Sequence, residues 1–451
     1  MKIQKQVPLT EGPILKSLTG LAVPIMISSF LGTLYNITDM AWIGLLGSKA
    51  VAAVGVGGMY VWLSQGLASL ARMGGQVHVA QCLGRGDKEQ AHRYAKTAVQ
   101  LSILLGLAFA AVSLLFTDPL VGFFKLEGVK TILDAKIYMR ITCGLILFSF
   151  LNLTLTGLYT AQGDSKTPFV ANFIGLLINL LLDPLLILGV GPFPRIEVAG
   201  AAVATVSAQL VVMLVMMVGV FRSKKEENVL KGIRLFEPFS KEELGNICKI
   251  GGPTAIQGMV YCMISMVLTR MVAAFGAEAI ATQRVGGQIE SVSWNTADGF
   301  AAALNAFVGQ NYGAKKMDRV QKGYRISFWT VAIWGALIML AFIIFPGPIA
   351  GVFFHEEKAM KIAISYLIII GFSEAFMCVE LMTIGALSGL GKTKLCSVIS
   401  ITATSMRIPL AMVLSRTSLG LDGIWWALTL TSVAKGIIFY LTFRYQMREK
   451  C

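Results

Sequence analysis

The chain has 451 residues, 55% of them hydrophobic and only 14% charged, which excludes an ordinary soluble globular protein. Its formal net charge of +14 does not point to nucleic acid, because the basic residues lie in short stretches between long apolar runs rather than on one basic face. Seven scattered cysteines without a CxxC pair, and only three histidines (78, 92 and 355), give neither a disulfide framework nor a His-based metal enzyme.

The N-terminus carries Lys2, Lys5 and Lys16 and runs directly into a long apolar segment, which reads as a retained start rather than a cleaved signal peptide. Twelve segments of about 20 apolar residues follow, the length that spans a hydrocarbon core of ~30 Å. They are placed near 14–38, 49–71, 95–116, 134–158, 168–190, 199–221, 249–274, 279–303, 324–345, 360–388, 395–415 and 422–443. In lipid the backbone must satisfy its own hydrogen bonds, so these are predicted helices. Lys and Arg between the segments number 26 on the N-terminal side and 9 on the other, which places both termini in the cytoplasm of a multi-pass inner (plasma) membrane protein.

The two halves are copies. Pro24 and Pro253 stand 229 positions apart, and the same offset relates Gly47 to Gly276, Ala50-Val51-Ala52 to Ala279-Ile280-Ala281, and Gly57-Gly58 to Gly286-Gly287. It persists through Gln81 and Gln310, Gly84 and Gly313, and Pro119 and Pro348. Six helices per half is an even number, so the repeats are parallel, related by an axis along the membrane normal. The expected organisation is an N-terminal lobe (1–221), a cytoplasmic linker (222–248) and a C-terminal lobe (249–451). The linker reads as a solvated tether, with Ser240 and Glu243 spaced as a capping box for a short surface helix ahead of the seventh span.

Charges at membrane depth are costly and therefore informative. Asp39 ends the first segment in Tyr35-Asn36-Ile37-Thr38-Asp39, one helical turn from Tyr35; a helix cap is its bland reading. Asp183 lies among leucines in Asn179-Leu-Leu-Leu-Asp183-Pro184, on one face with Asn179, while Pro184 leaves the Leu180 carbonyl without a helical donor. Oxygen donors of this kind suit Na⁺, and a buried carboxylate suits a proton; the residues leave both open, as they leave open a structural pairing of Asp183 with Arg140. Tyr138, Asn152, Thr205 and Gln209 add polar groups at similar depth and as a set line a pocket around the two aspartates, though any one serves equally as a helix–helix hydrogen bond. In the second half the position matching Asp39 is Leu268, and its acids are Glu290, Glu374 and Glu380, with Arg284 or Arg407 as expected counter-ions. Methionine (21) and phenylalanine (25) are plentiful enough to wall an adaptable apolar cavity.

Several of these stretches resemble the MATE (multidrug and toxic compound extrusion) family of bacterial type. They are the Pro24 helix leading to Asp39 and Ile43-Gly44-Leu45-Leu46-Gly47, Gln81-Cys82-Leu83-Gly84 with its partner Gly309-Gln310-Asn311-Tyr312-Gly313-Ala314, Gly157 through Gln162-Gly163-Asp164-Ser165-Lys166-Thr167-Pro168, and Asn179…Asp183-Pro184. The resemblance covers nearly the whole chain. It implies an all-α polytopic membrane protein of twelve transmembrane helices in two six-helix lobes forming a V-shaped central cavity. It implies export of amphipathic, often cationic, compounds against Na⁺ or H⁺. Carried onto this chain, the cation site is Asp39, Asn179, Asp183 and Thr205, with Na⁺ as one candidate occupant and Tyr138 and Asn152 as neighbours. Tyr35, Asn36, Gln209, Gln257 and Tyr261 are the substrate-cavity candidates, and Glu290 and Glu374 are secondary acid candidates. The second-lobe pattern is incomplete, since Gln257-Gly-Met-Val-Tyr261-Cys262 lacks the acid of the seventh helix and Gln288 stands where an arginine is expected.

The expectation is therefore a monomeric, non-enzymatic, ion-coupled multidrug exporter in a lipid bilayer, with no cofactor beyond the coupling ion and no nucleic-acid partner. The alternative is a flippase for lipid-linked oligosaccharides, disfavoured by acidic rather than basic groups at membrane depth. An intramembrane enzyme finds no HExxH or GxSxG motif, and a channel finds no repeated filter sequence.

Overall fold

The computed structural model describes residues 6–126, 128–189, 194–223, 228–235, 237–238, 240–354 and 356–448. Among them the chain is helical throughout, without a strand. The first half holds α1 (Ile14–Gly44), α2 (Ser48–Arg85), α3 (Lys88–Leu115), α4 (Thr117–Gly122), α5 (Val129–Gly144), α6 (Leu147–Ala161), α7 (Lys166–Ile187) and α8 (Glu197–Arg222). The second holds α9 (Lys241–Ala273), α10 (Ala277–Gly313), α11 (Met317–Ile344), α12 (Pro346–Gly351), α13 (Glu357–Gly371), α14 (Glu374–Gly389), α15 (Thr393–Ser405), α16 (Arg407–Leu414) and α17 (Leu421–Arg448).

Among the described residues each of the twelve expected segments lies mostly on helix. Among the described residues nine stretches are long and apolar enough to cross a membrane, or eleven when the bent pairs α5–α6 and α13–α14 each count as one. The remaining segment, α10, has the length but carries Glu278, Arg284, Glu290 and Asp298. The bent pairs cover the expected spans 134–158 and 360–388 and turn by 43° and 49°. In each the first member ends on a glycine, Gly144 and Gly371.

The repeat is visible in helix boundaries. α10 starts 229 residues after α2, and α11 and α12 copy α3 and α4 at both ends with that offset. The turns explain the agreement. Gly47 (φ 104°, ψ 168°) and Gly276 (φ 111°, ψ 173°) begin α2 and α10 in a backbone conformation that is essentially closed to residues with a Cβ. At the far end Gly86 takes the left-handed conformation (φ 81°), and the amide of Asp87 reaches back to Cys82 O at 3.0 Å. In the second half Lys315 occupies the same place at φ 58°, and the amide of Lys316 reaches Asn311 O at 2.9 Å.

Hydropathy marks where lipid is, not where helix stops, so several helices outrun their predicted spans. The stretch 72–96 is helix except for the turn at Gly86-Asp87, where Asp87 caps α3 by accepting from the Gln90 amide at 2.9 Å. α1 continues to Gly44, so Asp39 lies inside the helix rather than at its end. The seventh span starts at Lys241, and the surface helix expected ahead of it is simply its first turns. Nor are the described linker residues a solvated tether. Val229 and Leu230 are buried against Ala91, Ala95 and Leu158. The Val229 amide donates to Gln162 Oε1 (3.0 Å), His92 Nδ1 lies 2.7 Å from the Val229 carbonyl, and Gln100 donates to the carbonyls of Leu235 and Glu237. Lys96 sits 2.8 Å from the Glu237 carboxylate, and that hydrogen bond holds the carboxyl below its ordinary range.

The contacts divide the chain into two compact units, which do not follow the 1–221 and 249–451 division expected from sequence. One comprises Met1–Val7 and Ile27–Gly258; the other comprises Pro8–Met26 and Met259–Cys451. Membership changes within α1 just after Pro24, and within α9 just after Pro253, where a proline removes one helical hydrogen bond. In the second unit Asn311 donates to Leu9 O at 3.0 Å, and Arg319 donates to the carbonyls of Leu9, Glu11 and Gly12.

Many large apolar side chains are left outside, among them Leu104, Leu107, Trp329, Ile333 and Leu337. In lipid that exposure costs nothing, so helix association rests on close packing of small residues. Gly385 and Gly389 on α14 meet the backbone of Ala301 and Asn305 on α10, where a Cβ would have no room. Overfilling such a contact costs about 1–3 kcal/mol.

Candidate functional site

In the first unit, buried and half-buried polar residues from several helices converge. α1 contributes Tyr35 and Asp39, α5 contributes Tyr138, α7 contributes Asn179 and Asp183, and α8 contributes Thr205. Asp183 is fully buried; its Oδ1 accepts from Asn179 Nδ2 at 3.2 Å, as expected for residues one turn apart, and its Oδ2 has no hydrogen-bond partner. Asp39 is 8% exposed, and its Oδ1 is likewise without a partner. Tyr35 donates to Thr205 Oγ1 at 2.9 Å, tying α1 to α8. Tyr35 and Tyr138 lie within electrostatic reach of both aspartates, and Asp183 within reach of Asp39.

Among the described residues neither aspartate has a cationic side chain in ion-pair contact. Arg140, the counter-ion considered for Asp183, is exposed and does not reach it. Isolated carboxylates at this depth cost several kcal/mol each if left charged. Two of them side by side demand a positive charge or a proton.

Other expected residues are arranged differently. Asn152 donates to the Gln209 backbone carbonyl at 2.8 Å, so that pair straps α6 to α8, with Gln209 contributing its main chain. Asn36 is exposed. Gln257 belongs to the first unit and Tyr261 to the second, so the five cavity candidates are not gathered in one unit.

The second unit has its own buried polar cluster. Tyr366 donates to Glu290 Oε2 at 3.3 Å, and Glu374 is fully buried near Glu290 and Ser293. Of the expected counter-ions, Arg407 is within electrostatic reach of Glu290 but makes no ion-pair contact with it. Arg407 donates to Thr431 Oγ1 (3.0 Å) and Ser432 Oγ (2.8 Å), and Arg284 is exposed. Glu380 is instead paired with Lys435 at 2.8 Å, both side chains 6% exposed. Lys435 was missed by the sequence reading, although a lone lysine inside an apolar span is itself a signal that an acid waits nearby.

A duplicated helical membrane scaffold with an unpaired buried acidic pair defines a membrane transporter. The family description MatE matches residues 24–185 and 253–413. The chain belongs to the MATE family. It is 28% identical to "Probable multidrug resistance protein NorM" of Thermotoga maritima over 98% of this chain and 95% of that protein. It is 25% identical to "FAD transporter" of Shewanella oneidensis over 96% of this chain and 95% of that protein. A solved structure described as "Outward-facing conformation of a multidrug resistance MATE family transporter of the MOP superfamily" superposes with a TM-score of 0.90 at 24% identity, covering 100% of this chain and 99% of that one.

Proposed function

We propose that the chain is a secondary active exporter of amphipathic organic cations, driven by inward movement of Na⁺ or H⁺ through Asp39 and Asp183. The observation that carries this reading is a pair of buried carboxylates with unpartnered oxygens and, among the described residues, no cationic side chain in ion-pair contact. Binding of the coupling ion neutralises the pair. The ion therefore favours whichever conformation buries the pair more completely, and a ligand shifts an equilibrium only by such differential affinity. Once the ion leaves, the recharged carboxylates favour a cationic cargo. Asn179 and Thr205 complete the donor set for Na⁺; for H⁺, Asn179 holds Asp183 in place by the 3.2 Å hydrogen bond.

The excess of Lys and Arg on the N-terminal side supports an inner-membrane protein with both termini cytoplasmic. A monomer holds the complete pair, since Asp39 and Asp183 belong to one unit of one chain.

The test is efflux of a cationic dye from reconstituted vesicles, driven separately by a Na⁺ gradient and by a pH gradient, with Asp183→Asn alongside. Efflux under one gradient, lost in the variant while folded protein is retained, supports the mechanism and names the ion. Undiminished efflux by Asp183→Asn sinks it. If neither gradient moves any dye, the same vesicles loaded with a flavin dinucleotide or a lipid-linked sugar identify the other cargo classes.

A further inference from the structure

The second unit carries a groove remote in sequence from Asp39 and Asp183, between the cytoplasmic ends of α11 and α17. It encloses about 520 Å³. Its walls bring together Arg325, Phe328 and Trp329 from α11 with Tyr440, Arg444 and Arg448 from α17. Tyr440, Arg444 and Arg448 follow at four-residue steps and share one helical stripe.

The floor is rigid and aromatic. The rings of Tyr324 and Phe443 stack at 3.6 Å, and Phe328 and Tyr440 lie 5.0 Å apart. The Tyr324 hydroxyl is 2.9 Å from Thr383 Oγ1, which fixes that ring against α14. The Arg444 guanidinium lies over the Tyr440 ring, 5.8 Å from its centroid. That contact orients the charge without neutralising it.

The three arginines are exposed, and among the described residues none of them is in an ion pair. By contrast Lys96, Lys130, Lys136, Lys358 and Lys435 each face a carboxylate within 3.0 Å. Above the arginines the α11 wall turns apolar. Trp329, Ile333 and Leu337, again at four-residue steps, are 57–58% exposed. A basic end over an aromatic floor, continued by an apolar stripe along the helix, matches an anionic phospholipid in both its parts. A soluble anion has no use for the stripe.

We propose that this groove binds one anionic phospholipid. Arg325, Arg444 and Arg448 hold its phosphodiester, and one acyl chain lies along Trp329, Ile333 and Leu337. The leaflet is the inner one, which rests on the orientation given above. Guanidinium groups bind phosphate oxygens in a planar fork, and a basic residue near a membrane surface contributes about fivefold in affinity for anionic lipid.

The full chain is reconstituted in phosphatidylcholine nanodiscs containing a minor fraction of tail-brominated phosphatidylglycerol or, separately, tail-brominated phosphatidylcholine. Bromine quenches nearby tryptophan, and subtraction of Trp329→Phe isolates the emission of Trp329. The expected result is preferential quenching by the glycerol lipid. Each arginine changed to glutamine weakens the preference roughly fivefold, and R325Q/R444Q/R448Q abolishes it. Equal quenching of the wild type by both lipids overturns the proposal, as does a preference that survives the triple variant. If the triple variant does not fold, Arg448→Gln alone, at the exposed end of α17, is read in the same way. Millimolar inorganic phosphate leaves the preference intact if the occupant is a lipid; loss of the preference assigns the groove to a soluble anion and overturns the lipid.

Discussion

The two units share helix boundaries in α2–α4 and α10–α12 and differ in how they treat buried charge. In the first, Asp39 and Asp183 sit within electrostatic reach of each other with no cationic side chain in contact among the described residues. In the second, Glu380 is matched by Lys435 at 2.8 Å, and Arg407 is held by two hydroxyls. A duplicated unit needs its charge neutralised in both copies to stand in lipid. Glu380 has its neutralising group in the chain itself, while Asp39 and Asp183 have none in contact among the described residues, and in the second unit both oxygens of the fully buried Glu374 are likewise without a hydrogen-bond partner. The first arrangement is structural and constant; the second can be switched.

Substitutions in the two clusters should therefore fail in opposite ways. Asp183→Asn is expected to reduce gradient-driven efflux to background while leaving the protein folded, measured by transport and by monodisperse elution of the purified protein. Lys435→Met should strand Glu380 in the membrane interior and cost about 3–5 kcal/mol of stability, read from unfolding in detergent. Adding Glu380→Met should recover most of that loss, since an apolar pair of similar volume fits where the ion pair was. A double variant no more stable than Lys435→Met alone would mean that the pair carries more than charge balance.

Two smaller comparisons probe the shared scaffold. Gly47→Ala and Gly276→Ala should each cost about 1–3 kcal/mol, because both glycines occupy backbone space that alanine enters only under strain. Unequal losses would show that one repeat relaxes around its turn and the other does not. The smallest effect belongs to Lys315, which sits left-handed where the first repeat has Gly86. Lys315→Gly should stabilise the protein by about 0.5–1 kcal/mol, and Gly86→Lys should destabilise it by a similar amount, both checked by thermal unfolding.

Much of the fold was legible because its signals are local. Prolines and glycines carry their constraints in one residue, so the offset of 229 could be read directly and reappears in the starts of α2 and α10. The Asn179–Asp183 hydrogen bond followed from helical spacing alone. Helix ends beyond the apolar segments were not legible, since hydropathy is silent about helix in water, as for residues 72–85. The bends after Gly144 and Gly371 were hidden for a related reason: a run of apolar residues reads the same whether straight or broken. Long-range pairings were harder. Lys435 and Glu380 are 55 residues apart and meet only because α14 packs against α17. The burial of Val229 and Leu230 was masked by the charged residues around them in the sequence.

The exchange of helix segments between the two units has a consequence for how the protein is made. Pro8–Met26 leaves the ribosome more than 230 residues before the rest of its unit, which begins at Met259. Translation at about 5–20 residues per second separates the two by roughly 10–50 s. During that interval the leading segment is in the bilayer without the unit it completes. A nascent chain halted before residue 259 thus carries an orphaned half-helix, a ready handle for membrane chaperones and quality-control proteases.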